Sequence, residues 1–381
     1  MQKVQLGQCC QLSDVRKVAI VSSQNGKFFR DSNLSLFELA SQPCIDILKD
    51  KAIIDKDKID AVIFSSCSVE QYSSSILCEF LGIKPKISYR IDSLCNSGTN
   101  AVVSAFSYIS SGLCDSVLVV GAEKANSPGN RLIWDITRGS FSFPVHWAAL
   151  FAKAHMRTYG TTEEQMAMIS VKNHINAEKN PNALFNKAVT LEDVMSSRSV
   201  VNPLKLLDCS ISCEGSSALL LLAEDKAKKS TETPVWIKGI GQQTNSASFG
   251  KMTEHLSSIE TTKIAARAAY NMARVTPSQV DVVELHDAFT ILEILAYEDL
   301  GFVAKGKGGK FVNQKKIAIN PRGGILGCGH PVGVTGVAQT AEIAMQLSGR
   351  AEKRQVDECD IGLVHNLAAA GTSSTVIVLG V

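Results

Sequence analysis

The sequence predicts an α/β fold in which helices cover both faces of a mixed or parallel sheet. Three observations predict it. Strand-like apolar runs alternate with helix-like segments in both halves of the 381 residues. The stretch 123–207 breaks that rhythm and reads as an insertion between two strands of one sheet. A strand–helix plan met at Cys95 returns at His330, which suggests a duplicated unit.

The elements follow in order. Val18–Val21 reads as a strand, and Leu34–Lys49 as an amphipathic helix with Leu34, Phe37, Leu39, Ala40, Cys44 and Ile47 near one face. Ile59–Ser65 and Ile87–Ile91 read as strands, Ala101–Ser111 as a small-residue helix, and Ser116–Gly121 as a buried strand by its β-branched run. Inside the insertion, helices are expected near His146–Thr158 and Glu163–Glu178, and the chain returns through DCSISCEGSS to a strand at Ala218–Leu222. The second half reads as strand Val235–Ile240, helix Thr262–Ala273, strand Val280–Leu285 and helix Ala288–Leu300. A glycine- and lysine-rich loop, Gly301–Gly324, leads to a helix over Pro331–Leu347 and strands at Ile361–Val364 and Ser374–Leu379.

Composition narrows the function. A net charge of +2 with 20% charged residues creates no broad field, which argues against nucleic acid or an anionic membrane as the main partner. The 11 cysteines are odd in number and show no C-x-x-C pairing, so a reducing, cytoplasmic setting with free thiols is expected. The opening MQKVQLGQCCQLSDVRK lacks a long apolar run, so no signal peptide is expected, and no stretch reads as a transmembrane helix. The ending TVIVLGV is strand-like and no peroxisomal address.

Four places can carry chemistry. Cys95 lies in DSLCNSG at a strand-to-helix turn, where unpaired N–H groups and the helix dipole favour a thiolate and can cradle an oxyanion. The competing reading is a buried structural cysteine. His330 lies in GCGHPVG, with Pro331 suited to the first helical position, and is a plausible base for a thiol or simply a turn histidine. His286 ends a strand where α/β folds open their crevice, and Asp287 beside it reads as an ordinary helix cap. His365-Asn366 ends another strand, and the following small residues up to Gly371 suit either close approach to a ligand or sheet–helix packing. His146, His155, His174 and His255 read as surface or structural.

In this order, DSLCNSG at 92–98, NPLKLLDCSISCEGSSALLL at 202–221, VELHDAF at 283–289, INPRGGILGCGHPVGVTG at 319–336 and HNLAAAG at 365–371 resemble the thiolase superfamily over nearly the whole chain. The similarity is to its sterol-carrier-protein-X type and to prokaryotic acetyl-CoA acetyltransferases. The resemblance implies a duplicated five-layer α-β-α-β-α fold with a loop-domain insertion. Residues 1–122 with 208–232 would form the N-terminal half, 123–207 a loop domain covering coenzyme A, and 233–381 the C-terminal half. It implies Cys95 as the nucleophile taking an acyl group from acyl-CoA. His330 of the GHP motif would activate it. His286 would help polarise the second substrate's carbonyl, where other thiolases carry Asn. His365, Asn366 and Gly371 would stand at the substrate, in place of the C-x-G motif.

Two departures matter. The X-type family carries a cysteine where this chain has Ala288, and ordinary thiolases carry one at the position matched by His365. Cys328, or failing it a histidine, is therefore expected to move the proton at the substrate's α-carbon. Arg131, Arg138, Lys153 and Arg157 are candidates for the coenzyme A phosphates, or solvated surface charges. The implied activity is acetyl-CoA C-acetyltransfer on short 3-oxoacyl-CoA, with acyl-CoA and acetyl-CoA as substrates and neither cofactor nor metal. The alternatives are a longer-chain thiolase, a ketoacyl synthase or hydroxymethylglutaryl-CoA synthase, and a base-deficient acyl-CoA or lipid-binding protein. The resemblance further implies a homodimer or homotetramer, with hydroxymethylglutaryl-CoA synthase and a zinc-ribbon/OB-fold scaffold protein as partners.

Overall fold

The computed structural model describes residues 16–124, 143–247, 256–314 and 316–381. The N-terminal half runs β1 (Val18–Asn25), α1 (Leu36–Leu48), β2 (Ala61–Ser65), α2 (Ser73–Leu81), β3 (Ile87–Ile91), α3 (Ser97–Ser110) and β4 (Ser116–Glu123). An insertion brings α4 (Pro144–Tyr159), α5 (Glu163–Glu178), α6 (Leu191–Ser196), and the short pair β5 (Ser199–Val201) and β6 (Leu204–Lys205). The chain returns through β7 (Gly215–Ala223) and α7 (Glu224–Ser230). The C-terminal half runs β8 (Val235–Thr244), α8 (Glu260–Ala273), β9 (Val282–Glu284), α9 (Thr290–Asp299), α10 (Gly308–Phe311) and β10 (Ala318–Ile319). It ends with α11 (Gly324–Cys328), α12 (Thr335–Leu347), β11 (Ile361–Ala368) and β12 (Ser373–Gly380). Among the described residues, no helix is long and apolar enough to cross a membrane.

The strands form a mixed ten-stranded sheet in the order β10-β9-β11-β12-β8-β1-β7-β4-β2-β3. Cut between β8 and β1, each half repeats one plan. β3, β2 and β4 are parallel, and β7 and β1 follow antiparallel. β10, β9 and β11 are likewise parallel, and β12 and β8 follow antiparallel. Within the sheet, among the described residues, strand pairing joins the halves where Ala19 meets Trp236 and Ile20 meets Val235. The duplication expected from Cys95 and His330 is thus a property of the whole sheet.

Period-two alternation along the strands sorts their side chains into layers. Val18, Ile20, Val117, Val119 and Leu221 point inward to Ala101 and Ala105 of α3 and Val337 and Ala341 of α12. Val364 and Ile377 of the other half meet the same helices. Ala19, Val21, Leu118 and Val120 point outward to α1 and α2. Leu363, Val376 and Val378 point outward to α8 and α9. Helix, sheet, helix, sheet and helix therefore succeed one another, the five layers that the resemblance implied.

Local chemistry sets the boundaries. Helix α1 starts at Leu36, two residues later than its periodicity suggests, because Ser35 and Glu38 form a capping box. Helix α12 starts at Thr335 and not at Pro331. Pro331–Val334 is a turn closed by the Val334 N–H on the Pro331 carbonyl, and the Gly333 N–H is drawn instead to the buried Glu123 carboxylate. Helix α2 and strand β10 went unread in the sequence, the first for its serine-rich start and the second for its two-residue length.

The two central helices touch backbone to backbone. A Cβ on Gly98 would stand 2.5 Å from the Val337 nitrogen and 2.9 Å from Gly336 Cα. Neither neighbour is a side chain that can turn aside. Gly98→Ala is therefore expected to lower the unfolding free energy by about 2–3 kcal/mol. A urea midpoint equal to that of the parent would show that the crossing tolerates spreading.

Candidate active site

Cys95 stands between β3 and α3, where the turn is built for it. The Asp92 carboxylate accepts the Leu94 N–H at 3.1 Å, and the Ser97 hydroxyl accepts the Ser93 N–H at 2.7 Å. Leu94 is held at φ 53°, a left-handed conformation costing a non-glycine residue about 1–2 kcal/mol. That bend lifts Cys95 to the floor of a cavity of about 170 Å³ lined also by Pro144, Trp147, Ser212, His286, Phe289, His330 and Ala369.

The imidazole of the duplicated half is in reach. His330 Nε2 lies 3.3 Å from Cys95 Sγ, and His330 Nδ1 lies 2.8 Å from Thr335 Oγ1. The Thr335 hydroxyl donates to the Pro331 carbonyl at 3.2 Å, so it accepts the proton of Nδ1. That leaves Nε2 bare toward the thiol. Burial and the Arg322 charge push His330 down to about 4, so the ring is neutral at pH 7. Burial also pushes the Cys95 thiol up to about 12, although the N–H groups of Ala369 and Cys95 itself favour its anion. The helix start expected to yield a resting thiolate is outweighed by desolvation. The sulfur is protonated at rest, with the bare His330 Nε2 within reach of its proton.

His286 completes the cluster. Its ring meets that of His330 edge to face with centroids 5.4 Å apart, and ligand atoms of Cys95, His286 and His330 all lie within 4.8 Å of one another. Burial, then the His330 and His365 charges, hold His286 well below the usual histidine range. Its Nδ1 is buried without a hydrogen-bond partner.

Three expectations are corrected. Cys328 does not face the cavity. Its thiol donates to the Arg322 carbonyl at 3.0 Å, accepts from Asn180 at 3.4 Å, and packs with Cys213, Ala177 and Val334 in a small satellite core. Burial pushes it up to about 12, so it is no base at the substrate. His365, Asn366 and Gly371 do not line the cavity either. Strand alternation sends His365 outward to Thr262 of α8 at 3.0 Å, and Asn366 inward to Gln339 of α12 at 2.7 Å. Gly371, at φ 87°, turns the chain against Ile259, and it is Ala369 from the same run that lines the cavity with Cys95. Asp287 is a cap, as expected, but of another helix. Its carboxylate accepts the N–H groups of Ile325 at 2.7 Å and Leu326 at 3.2 Å at the start of α11, and Asn173 of α5 at 2.6 Å.

The remaining candidates separate cleanly. Lys153 and Arg157 sit exposed on α4 and do not line the cavity, and Arg131, Arg138 and His255 lie outside the described residues. His155 is buried between Thr161 and Glu298, and His174 bonds the Ser170 carbonyl, both structural roles. The apolar wall of Trp147, Phe289 and Val332, with Ser210 and Ser212, went unread in the sequence. Only the DCSISC motif carried a signal for the two serines.

The family model for the thiolase N-terminal domain matches residues 18–225, and that for the thiolase C-terminal domain-like family matches 241–381. This chain belongs to the thiolase family. A protein named acetyl-CoA acetyltransferase from Methanothermobacter thermautotrophicus is 37% identical over 382 residues, 95% of this chain and 99% of its own length. Sterol carrier protein 2 of Bos taurus is 34% identical over 307 residues, 74% of this chain and 56% of its own length. The solved structure described as Ltp2-ChsH2(DUF35) aldolase matches with a TM-score of 0.84 at 24% identity, over 96% of this chain and 97% of its own, a likeness of fold.

Two outcomes follow from this thiolase site. His330 is held at about 4 and His365 at about 3, with His286 also depressed, all by burial. Between these values and the usual ~6.5 the unfolded chain binds protons that the native rings refuse, so the stability these three rings contribute is lost as pH drops from about 6.5 toward 4. Urea midpoints of His365→Gln should therefore fall less with acid over that range than those of the parent, and an unchanged difference would contradict the assignment. Asp287 ties the strand end bearing His286 to the helix that leads to His330. Asp287→Asn sets a weaker acceptor against two N–H groups, and iodoacetamide alkylation of Cys95 should slow about tenfold. A folded variant alkylated at the parent rate would remove Asp287 from the site.

Proposed function

We propose that this thiolase is an acetyl-CoA C-acetyltransferase that makes or cleaves acetoacetyl-CoA through an acyl group on Cys95. The observation that carries this reading is the 3.3 Å contact of Cys95 Sγ with His330 Nε2 on the floor of the cavity. The cavity is small and walled by Trp147, Phe289 and Val332, which favours a short acyl chain. The kinship to proteins named acetyl-CoA acetyltransferase, 37% and 34% identical over nearly their whole length, supports the same substrates.

The steps balance without a cofactor or a metal. The Cys95 S–H proton passes to His330 Nε2 as sulfur attacks the thioester carbon. The carbon–sulfur bond to coenzyme A breaks, and the departing sulfur takes the proton from His330. The N–H groups of Ala369 and Cys95 favour the sulfur anion, and donors so close to the sulfur would also favour an oxyanion forming on the attacked carbon. A second acetyl-CoA then gives up an α-proton, its carbon attacks the acyl group, and the Cys95 thiolate leaves. Cys328 is turned away, so the α-proton falls to His286, whose ring is neutral, buried in the cavity wall and beside the nucleophile. The ordinary reading of His286 as a carbonyl donor fits the same ring before it accepts the proton.

The chain would work in the cytoplasm as a homodimer or homotetramer. A scaffold contact of the DUF35 kind is suggested by the neighbour described with such a partner, and hydroxymethylglutaryl-CoA synthase would consume the product.

Intact mass after mixing with acetyl-CoA tests the reading. One acetyl group is expected on the parent and none on Cys95→Ala. His286→Asn should still gain the acetyl group, while condensation to acetoacetyl-CoA falls by about 10²–10⁴-fold. A parent that stays unmodified would overturn the acyl-enzyme. A His286→Asn variant that condenses at the parent rate would overturn the base.

A further inference from the structure

We propose that Cys95, His286 and His330 also form a binding site for a soft divalent transition metal, Zn²⁺ above all, which closes the nucleophile to substrate. The proposal concerns the regulation of the site described above, yet it rests on the geometry of three side chains and holds whether or not the chain condenses acetyl-CoA.

The donor set carries it. A thiol and two imidazoles offer their ligand atoms within 4.8 Å of one another, and one pair is already at 3.3 Å. Tetrahedral zinc, with Zn–S near ~2.3 Å and Zn–N near ~2.0 Å, needs its donors roughly 3.3–3.7 Å apart. Closing the longest gap asks a movement of about an ångström, within the reach of side-chain rotation. The Thr335 hydroxyl already fixes the His330 tautomer that presents Nε2, as an outer partner does at built zinc sites. His286 Nδ1 is buried with no hydrogen bond to give up.

The surroundings choose the ion. Among the described residues no carboxylate lines the cavity, a lining that offers Mg²⁺ and Ca²⁺ no hard ligands. One thiolate and two imidazoles suit Zn²⁺, Co²⁺ and Cu²⁺. Trp147, Phe289 and Val332 give the same cavity an apolar lining. Asn at position 286, as in the NEAF motif of other thiolases, would leave two donors and a weak site. The site is thus a consequence of the histidine that this chain carries.

The balance is simple. The metal replaces the Cys95 proton, a zinc–sulfur bond forms, and one proton is released to solvent. Apparent affinity then rises about tenfold per pH unit below the thiol's pKa.

The test uses the metal-free protein titrated with Co²⁺ and read by absorption, followed by Zn²⁺ against a chromogenic chelator. One Co²⁺ per chain is expected with a sulfur-to-cobalt charge-transfer band that Zn²⁺ displaces. The band should vanish in Cys95→Ala, and affinity should fall about 100-fold in His286→Asn. Prior acetylation of Cys95 by acetyl-CoA should abolish the band without any substitution. Metal binding of equal strength in the parent and in both variants would overturn the proposal, as would a parent that binds Co²⁺ with no thiolate band. Acetylation without metal binding would sink this proposal and spare the transferase. Metal binding without acetylation would do the reverse.

Discussion

The crossing of α3 and α12, with Gly98 against Val337 and Gly336, is the constraint on which the rest of the structure depends. Two duplicated halves meet there without intervening side chains. The helix behind Cys95 and the helix behind His330 can approach only because glycine occupies the contact. Each half alone holds half of a site. The close approach turns a cysteine and an imidazole 235 positions apart into a hydrogen-bonded pair.

Burial then decides the electrostatics. The site is buried where the two halves meet, so the charged forms of Cys95, His286 and His330 are all disfavoured. A resting thiolate–imidazolium pair would have to overcome that penalty twice. The neutral pair avoids it, and the N–H groups of Ala369 and Cys95 offset only part of the burial that disfavours the sulfur anion. The same neutrality leaves three soft donors facing one another.

The insertion is more than a cover. Its helix α5 supplies Asn173, which bridges Asp287 at 2.6 Å and Glu293 at 2.8 Å, and Lys172, which pairs with Glu293 at 2.9 Å. Asp287 in turn holds the start of α11, the segment that carries the chain to His330. Helix α4 supplies Trp147 to the cavity wall. Polar contacts therefore tie the loop region and the HDAF segment to the start of α11, the helix that precedes the GHP segment.

The sequence by itself determined the layered α/β class, the duplication, the insertion and the positions of Cys95, His286 and His330. These follow from strand and helix periodicity and from short motifs whose residues are neighbours in the chain. It did not determine which way side chains point once strands are paired. Cys328 lies two residues from His330 yet turns into a satellite core, and His365 lies on a strand whose alternation faces it to α8. Ala369 comes to line the cavity beside Cys95, a placement that no residue identity announces. The sign of the Cys95 shift was also open, because helix start and burial oppose each other and only depth decides between them. Local pattern sets which groups are present. Packing across the two halves sets which of them meet, because register and burial belong to contacts far apart in the chain.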